Sequence, residues 1–299
     1  FASLSLTIAC YLPLPRDLVV VESDNANYLI KRIFPKQCPK ELKGSLRVKM
    51  IPVLESEDRR KSIGGIWLDL NGWERHLKDE LPDTSSLIRS SELWKIESRL
   101  GIGIDFYSRT AEEGKIYTTE GIVMDDKAKF IVGYSGRNIP ENGILRFGGD
   151  GRGALLERSE SLGSLSELGR PESGWRGFRM ILISPGIFPS GWFIPGAEEE
   201  NGGIKFFFKS LEAELICAVI PRHEVVSGWD IAKHRPKPAS KVVPAGSVYW
   251  FKVIDGDTND LIEIWEKGLY VVDRNLDKEF SRMRRREGFG RVWFGKWNP

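Results

Sequence analysis

The stretch Leu145 to Leu155, LRFGGDGRGAL, constrains the chain more than any other. Four glycines stand in six positions (Gly148, Gly149, Gly151 and Gly153), interleaved with Asp150 and Arg152. Glycine at this density lets a backbone turn through positive φ and come close to another backbone or a ligand that a Cβ would exclude. Short apolar runs enter through Leu145 and Phe147 and leave at Leu155, so the spacing predicts a β-hairpin with Arg152 at or near its tip. A bare turn needs only one or two glycines. The excess points to backbone contact with a ligand, and the arginine to an anionic one, while an ordinary glycine-rich hairpin stands as the competing reading. A nucleotidyl-transferring palm is excluded, because its GGD is followed by a second acid that helps hold two metal ions, whereas Gly151 and Arg152 follow here.

The formal net charge of +2, from 44 basic and 42 acidic residues, is too near balance for bulk coating of nucleic acid. Any polyanion must therefore be held locally. With 41% apolar and 29% charged residues the chain is globular rather than disordered. Cys10, Cys38 and Cys217 lack paired spacing, and His76, His223 and His234 lack ligand spacing, so neither a disulfide framework nor a metal site is expected. The opening FASLSLTIACYL has no basic flank and soon reaches Pro13 and Arg16, so it reads as an element within a fold rather than a leader. No later stretch is apolar over the roughly 18 residues a spanning helix needs. The expected setting is the cytoplasm, with no membrane contact.

Dense β-branching in Asp17 to Glu22 predicts a buried strand. Asn71 is placed to cap a helix carrying Trp73, Leu77 and Leu81, and Glu92 to Leu100 carries Leu93, Ile96 and Leu100 at helical spacing. Beyond them Ile102, Ile104 and Phe106 alternate as a strand, Ser108 to Lys115 reads as a polar loop, and Ile116 to Met124 and Phe130 to Tyr134 read as further strands. Arg99 and Arg109 flank the first of these. They form either a phosphate clamp or pairs with acids such as Glu112 and Glu113.

Composition shifts at Glu157 to Gly174, ERSESLGSLSELGRPESG, which is read as a linker between domains. Strands follow at Phe178 to Ile183, Ala213 to Ile220 and Val248 to Ile254, and a hairpin is expected from Ile262–Trp265 and Leu269–Val272. Between the strands, Lys233, His234, Arg235, Lys237 and Lys241 lie on a proline-interrupted loop before the aromatic run Tyr249, Trp250 and Phe251. Cations beside exposed rings suit single-stranded nucleic acid; a solvated loop over a core strand is the equal alternative. Asp277 opens a helix bearing Leu276, Phe280 and Met283 on one side and Arg282, Arg284, Arg285 and Arg286 near its end, and Gly288 stops it. Then GFGRVWFGKW repeats the theme of glycine, aromatic and cation. No P-loop, GxSxG, HExxH or full dinucleotide fingerprint occurs, and no acid and base pair stands out by spacing.

Taken in order, LWKIESRLGIGIDFYSRTAEEGKIY, the FGGDGRGA turn, FRMILISPGIF, GWD with RPKP and PAGSVYWF, and the terminal GFGRVWFG carry a resemblance. From Leu12 to Trp297 the chain resembles the RAMP-superfamily subunit of type III-B CRISPR (Cmr) effector complexes that holds the 5′ handle of the guide RNA. It departs from that family at the start, where most of the opening strand and helix are absent. The resemblance implies an α+β chain of two ferredoxin-like (RRM-like) units, over residues 1–156 and 175–299, joined by a linker at 157–174. It implies a non-catalytic role without a cofactor: binding the 5′ handle of the crRNA near the target RNA, and bridging the large polymerase-like CRISPR subunit to a backbone RAMP subunit. The terminal GFGRVWFG corresponds to the superfamily's glycine-rich loop, which places Gly288, Gly290, Arg291 and Gly295 at RNA. Arg99, Arg109, Gly149, Arg152, Arg235 and Lys237 are the further candidates. The alternative is a RAMP-type endoribonuclease, whose chemistry needs a general base at the scissile 2′-OH, and the three histidines show no evident companion in sequence.

Overall fold

The computed structural model describes residues 9–23, 27–39, 48–56, 60–133, 140–147, 152–158, 167–200, 202–230, 232–272 and 276–299. The architecture is α+β, with antiparallel sheets and few helices. In the N-terminal part, β1 (Tyr11–Pro13), β2 (Leu18–Glu22), β3 (Tyr28–Gln37), β4 (Met50–Leu54), β5 (Ile66–Asp69) and β6 (Leu87–Arg89) form two three-stranded sheets, ordered β1-β5-β6 and β2-β3-β4. Helix α1 (Leu70–Leu77) begins before the expected Asn71 cap, because the Asp69 carboxylate accepts from the Gly72 N–H at 2.7 Å. It buries Trp73 and Leu77, while Leu81 lies past its end and is exposed.

The helix expected over Glu92–Leu100 is not formed. A single turn, α2 (Ser90–Leu93), gives way to β7 (Trp94–Ile104), which pairs with β8 (Ala111–Met124) in a long hairpin. Leu93, Ile96 and Leu100 fit a helical face, but Ile96, Leu100, Ile102 and Ile104 also fit the period of a strand. Gly101 and Gly103 tip the choice, since glycine is poor in helices and here gives room to the cross-strand side chains of Tyr117 and Lys115. The polar loop is shorter than expected, since the strand resumes at Ala111. Residues 130–133 carry no strand, and Tyr134 lies outside the described residues. The glycine-rich hairpin is present as β9 (Asn142–Phe147) and β10 (Arg152–Glu157), with Phe147 opposite Arg152. Its turn, including Gly149, lies outside the described residues.

The C-terminal part contributes β11 (Gly177–Leu182), β12 (Ala197–Glu200), β13 (Gly203–Phe208) and β14 (Leu211–Val219), then a narrow ribbon in which β15 (Glu224–Val226) and β16 (Trp229–Asp230) pair with β18 (Ser240–Val242) and β17 (Arg235–Pro236). After β19 (Val248–Asp255) come α3 (Ile262–Lys267), α4 (Lys278–Arg286) and β20 (Val292–Lys296). Six of these strands form one antiparallel sheet, ordered β12-β13-β14-β19-β11-β20. The expected hairpin at Ile262–Val272 is instead α3 followed by a 3-10 turn: Leu261 and Ile264 face the core, Glu263 pairs with Lys267 at 2.9 Å, and Gly268 ends the helix at φ 85°.

Both faces of the six-stranded sheet are covered, and strand alternation shows how. Phe178, Met180, Leu182, Tyr249, Phe251 and Phe294 point to one face, where they meet residues of α3 and the segments around it such as Leu261, Ile264, Leu269 and Tyr270. Ile181, Cys217, Val248, Trp250 and Trp293 point to the other, where Leu14, Leu18, Val20, Ile66, Leu68, Trp73 and Leu77 of the N-terminal part lie. Every residue of β11 is consequently buried, and apart from Arg179 the strand is apolar on both faces rather than alternating. Trp73 meets Trp293 edge-on, with ring centroids 5.2 Å apart. The last part of the expected linker joins this layer: Leu168 O accepts from Trp265 Nε1 at 2.9 Å, and Gly169 O from Phe294 N at 2.9 Å.

A buried polar cluster sits in the same N-terminal layer. The Arg179 guanidinium, on β11, donates to Asp17 Oδ2 at 3.2 Å and to the His76 carbonyl at 2.5 Å, while His76 Nε2 is 3.1 Å from Asp17 Oδ1. All three side chains are essentially inaccessible. Burial raises the Asp17 carboxyl, but His76, Arg179 and Arg32 outweigh it and hold the group below the ordinary range. Burial also pushes the His76 imidazole down, more than Asp17 pulls it up. The histidine is therefore a neutral, enclosed partner, and the cluster ties the N-terminal layer to the central sheet.

Candidate nucleic-acid interface

The surface around the terminal glycine turn is built by α4. Its first turn is capped by Asp277, whose Oδ1 accepts from the Phe280 N–H at 2.8 Å. At its end Gly288, at φ 81°, sends its N–H to the Arg285 carbonyl at 3.1 Å, and Phe289 N donates to the Arg284 carbonyl at 3.1 Å. This is the paired C-terminal closure that a left-handed residue makes possible, and glycine takes that conformation without a Cβ penalty. Neighbouring segments pin the turn on both sides. Ser184 Oγ donates to Gly288 O at 2.7 Å and accepts from Arg291 N at 2.9 Å; Gly290 N donates to Pro185 O at 2.8 Å, and Leu269 N to Gly290 O at 2.9 Å.

The arginines of this region divide into two sets. Arg284 lies over the Phe280 and Phe289 rings, 5.0 and 5.9 Å from their centroids, and bonds Glu287 at 2.8 Å. Arg291 is half-buried and donates to the carbonyls of Glu266 (2.6 Å) and Trp265 (3.4 Å), capping the end of α3; burial, and then the neighbouring Arg285, lower its affinity for a proton. Arg282, Arg285 and Arg286 are exposed and have no ion-pair partner among the described residues. The basic ribbon meets the same surface: Lys237 Nζ lies 3.9 Å from Glu287 at the end of α4, and Lys237 N donates to Gly228 O at 2.7 Å. Arg235, Lys233 and His234 are exposed near its tip. Exposed guanidinium and ammonium groups on a helix end and a neighbouring ribbon can bind a phosphate backbone without any base-specific contact.

The structure brings Gly288, Gly290, Arg291 and Lys237 together, with Arg235 on the same ribbon. Within that group Gly290 faces inward, and Gly295, Arg99 and Arg109 lie elsewhere. Gly290 is turned inward, where an added Cβ would lie 2.7 Å from the Tyr270 ring, so this glycine answers a close approach within the fold. Gly295 is buried in β20, and a Cβ there would stand 2.9 Å from the Leu77 carbonyl at the end of α1. Arg99 is mid-strand in β7, not at a strand end, and bonds Glu97 at 2.8 Å. Arg109, at φ 54°, sits in the loop at the tip of the same hairpin, and Glu112 pairs with Lys115 instead of with it. Arg152 starts β10, Gly149 lies outside the described residues, and so does the Arg152 side chain. The aromatic run offers no stacking platform: Tyr249, Trp250 and Phe251 are 1%, 2% and 0% exposed. Of the two readings of the basic loop, the one with bases stacked on this strand is thus excluded. The sequence placed Arg282, Arg285 and Arg286 near the end of a helix without marking them for RNA, and it gave no sign of the Asp17–His76–Arg179 cluster, whose members lie far apart in the chain.

Among the described residues no helix is long and apolar enough to cross a membrane. No curated protein matches the chain. The solved structures similar to the chain include two described as the type III-B Cmr-beta complex bound to cognate target RNA, the second also with AMPPnP in state 1. The first aligns at 15% identity and a TM-score of 0.40, covering 94% of this chain and 74% of the matched chain; the second at 14% and 0.39, covering 96% and 80%. The family model described as CRISPR-associated protein (Cas_Cmr3) matches residues 7–297, nearly the whole chain, and the protein belongs to that family.

Proposed function

We propose that this chain is a non-catalytic subunit of a type III-B CRISPR effector complex, built from two ferredoxin-like units, that binds the 5′ handle of the crRNA and bridges the large polymerase-like subunit to the backbone subunits. Besides family membership, one observation carries the RNA-binding part: a glycine turn pinned by Ser184 and Pro185 follows the helix that exposes Arg282, Arg285 and Arg286, and the ribbon bearing Arg235 and Lys237 reaches the end of that helix at Glu287. Phosphates are held there, and the sheet faces play no part, because both are covered. The non-catalytic reading draws support from the histidines. His76 is fully enclosed, and His223 and His234 are exposed without a carboxylate partner among the described residues.

The test is guide-RNA affinity of the reconstituted assembly across a salt series, with the natural handle and with a scrambled one. Tighter binding of the natural handle is expected, with a salt slope that falls when Arg285 or Arg286 is changed to alanine. Equal affinity for both handles, or metal-free RNA cleavage that disappears on changing His223 or His234, overturns the reading.

A further inference from the structure

Of the chain's ten tryptophans, all among the described residues, Trp229 is the one that is exposed, at 56%. The others are buried or half-buried, and several pack on further rings, as Trp67 does on Trp94 and Trp73 on Trp293. The Trp229 indole makes no ring contact and no hydrogen bond among the described residues. A single exposed ring is ordinary by itself. Its setting is not. Trp229 lies on β16 directly opposite Pro236 of β17, so the two share one side of the basic ribbon. The backbone beside it is held in place: Ser227 Oγ donates to Lys237 O at 2.9 Å, and Lys237 N to Gly228 O at 2.7 Å. From Arg222 to Lys241, five lysines and arginines stand against two acids, a local excess larger than the +2 of the entire chain. Asp230, the acid next to the ring, is engaged by the Lys233 N–H at 3.1 Å. Arg235 and Lys237, on either side of Pro236, alternate to the reverse side and are exposed. Neighbouring strands are only about 5 Å apart, so these long side chains reach past the edge of the ribbon toward the side that carries the ring.

We infer that Trp229 stacks one unpaired base of the guide's 5′ handle, while the cations around it hold the adjoining phosphates. The inference rests on the RNA-binding function proposed above and adds a base contact to it, one that the buried rings of β19 do not make. Stacking on an aromatic ring beside a basic groove is how single strands are gripped with little regard to sequence, because every base has a π face. A duplex does not offer that face. A protein fits the ring less well, since an anchoring tryptophan at a protein interface sits in a packed surround that excludes water, whereas Trp229 has Gly228, Asp230 and Pro236 beside it and Lys233 and His234 on the loop beyond.

The test is guide binding by the reconstituted complex, with the natural handle and with handles made abasic at one nucleotide at a time. Trp229→Ala is expected to weaken binding of the natural guide about tenfold, with the chain's melting temperature and the salt slope unchanged because no charge is lost. Trp229→Phe should keep most of the affinity. At one handle position the abasic loss should fail to add to that of Trp229→Ala, which identifies the stacked base. Unchanged affinity in Trp229→Ala, equal losses in the alanine and phenylalanine variants, or losses that add at every handle position overturn the inference and leave the proposed function standing. Loss of another protein subunit from the Trp229→Ala complex, with RNA held as tightly as before, assigns the ring to a protein and overturns it too. If the unmodified complex binds natural and scrambled handles alike, the proposed function fails and the inference falls with it.

Discussion

The six-stranded sheet and the β7–β8 hairpin are made of similar residues and meet opposite fates. In β19, Tyr249, Trp250 and Phe251 are buried because one face of the sheet packs on α3 and the segments around it and the other on the N-terminal layer. In β7, Ile96, Leu100 and Ile102 are 68%, 74% and 49% exposed, because none of the described residues covers their side of a two-stranded ribbon. Apolar strands alone therefore say little about function. What matters is how many faces of a strand the rest of the chain can cover. Where both are covered the strand is scaffold, and binding passes to turns and arms at the margins.

The largest effect expected from breaking this contrast lies in the polar cluster that ties the two layers together. Arg179→Met removes the guanidinium from Asp17 and from the His76 carbonyl, leaving a carboxylate buried without its cationic partner. Loss of one partner of a buried pair costs about 3–5 kcal/mol, and denaturant unfolding should show it. A cost below about 1 kcal/mol would mean that water reaches the cluster and that the layers are held by apolar packing alone.

The contrast itself is tested by truncating one residue from each region. Phe251→Ala, within stacking distance of Phe178 at 5.1 Å between centroids, should destabilise the chain by about 3–5 kcal/mol. Leu100→Ala should shift the free chain by no more than about 0.5 kcal/mol, because the side chain is already in water. Comparable losses at both positions would show that the arm is covered in the free protein.

At the glycine turn the same comparison separates two arginines. Arg291→Ala deprives the end of α3 of its cap and should lower thermal stability, with a smaller effect on RNA. Arg285→Ala should leave the melting temperature alone and weaken guide binding by the roughly 1.5–3 kcal/mol of a charge-assisted contact. It should also flatten the salt slope by about 0.7 for one single-strand phosphate. The reverse pattern would move the RNA path inward, toward Arg291.

Much of this was legible in the sequence, and the misses have identifiable causes. Strands buried on both faces announced themselves through short apolar runs, as in Met180–Leu182 of β11 and Leu215–Cys217 of β14, and α4 through Asp277 and Gly288 at its two ends. The Glu92–Leu100 segment misled because its aliphatic positions satisfy both periods. The Ile262–Val272 segment misled because short apolar runs around a glycine look alike in a hairpin and in a capped helix. At the site, residue types were readable but directions were not. Arg291 and Gly295 belong to the motif yet turn into the fold, which only the position of α1 and α3 reveals. His76 looked companionless because Asp17 and Arg179 reach it through tertiary packing alone.

The smallest expected effect concerns that histidine, and its sign follows from burial. His76 is held below its ordinary value in the fold, first by desolvation, whereas the unfolded chain takes up the proton near pH 6.5. Between the folded and unfolded values the unfolded state binds the extra proton, so stability should fall as pH drops below about 6.5, by at most ~1.4 kcal/mol per pH unit for one group. Asp17 acts in a separate window: its folded value is depressed, so its contribution is present above about pH 3.9 and is lost as pH falls through the folded value. Melting temperature followed from pH 7.5 to 5.5 isolates the histidine. His76→Gln should start lower, because the cluster is disturbed, yet decline less steeply over that range, while Arg285→Ala should keep the wild-type slope. A wild-type slope in His76→Gln would show that the imidazole is not the group excluding the proton, and that the enclosed site admits solvent as the exposed arm does.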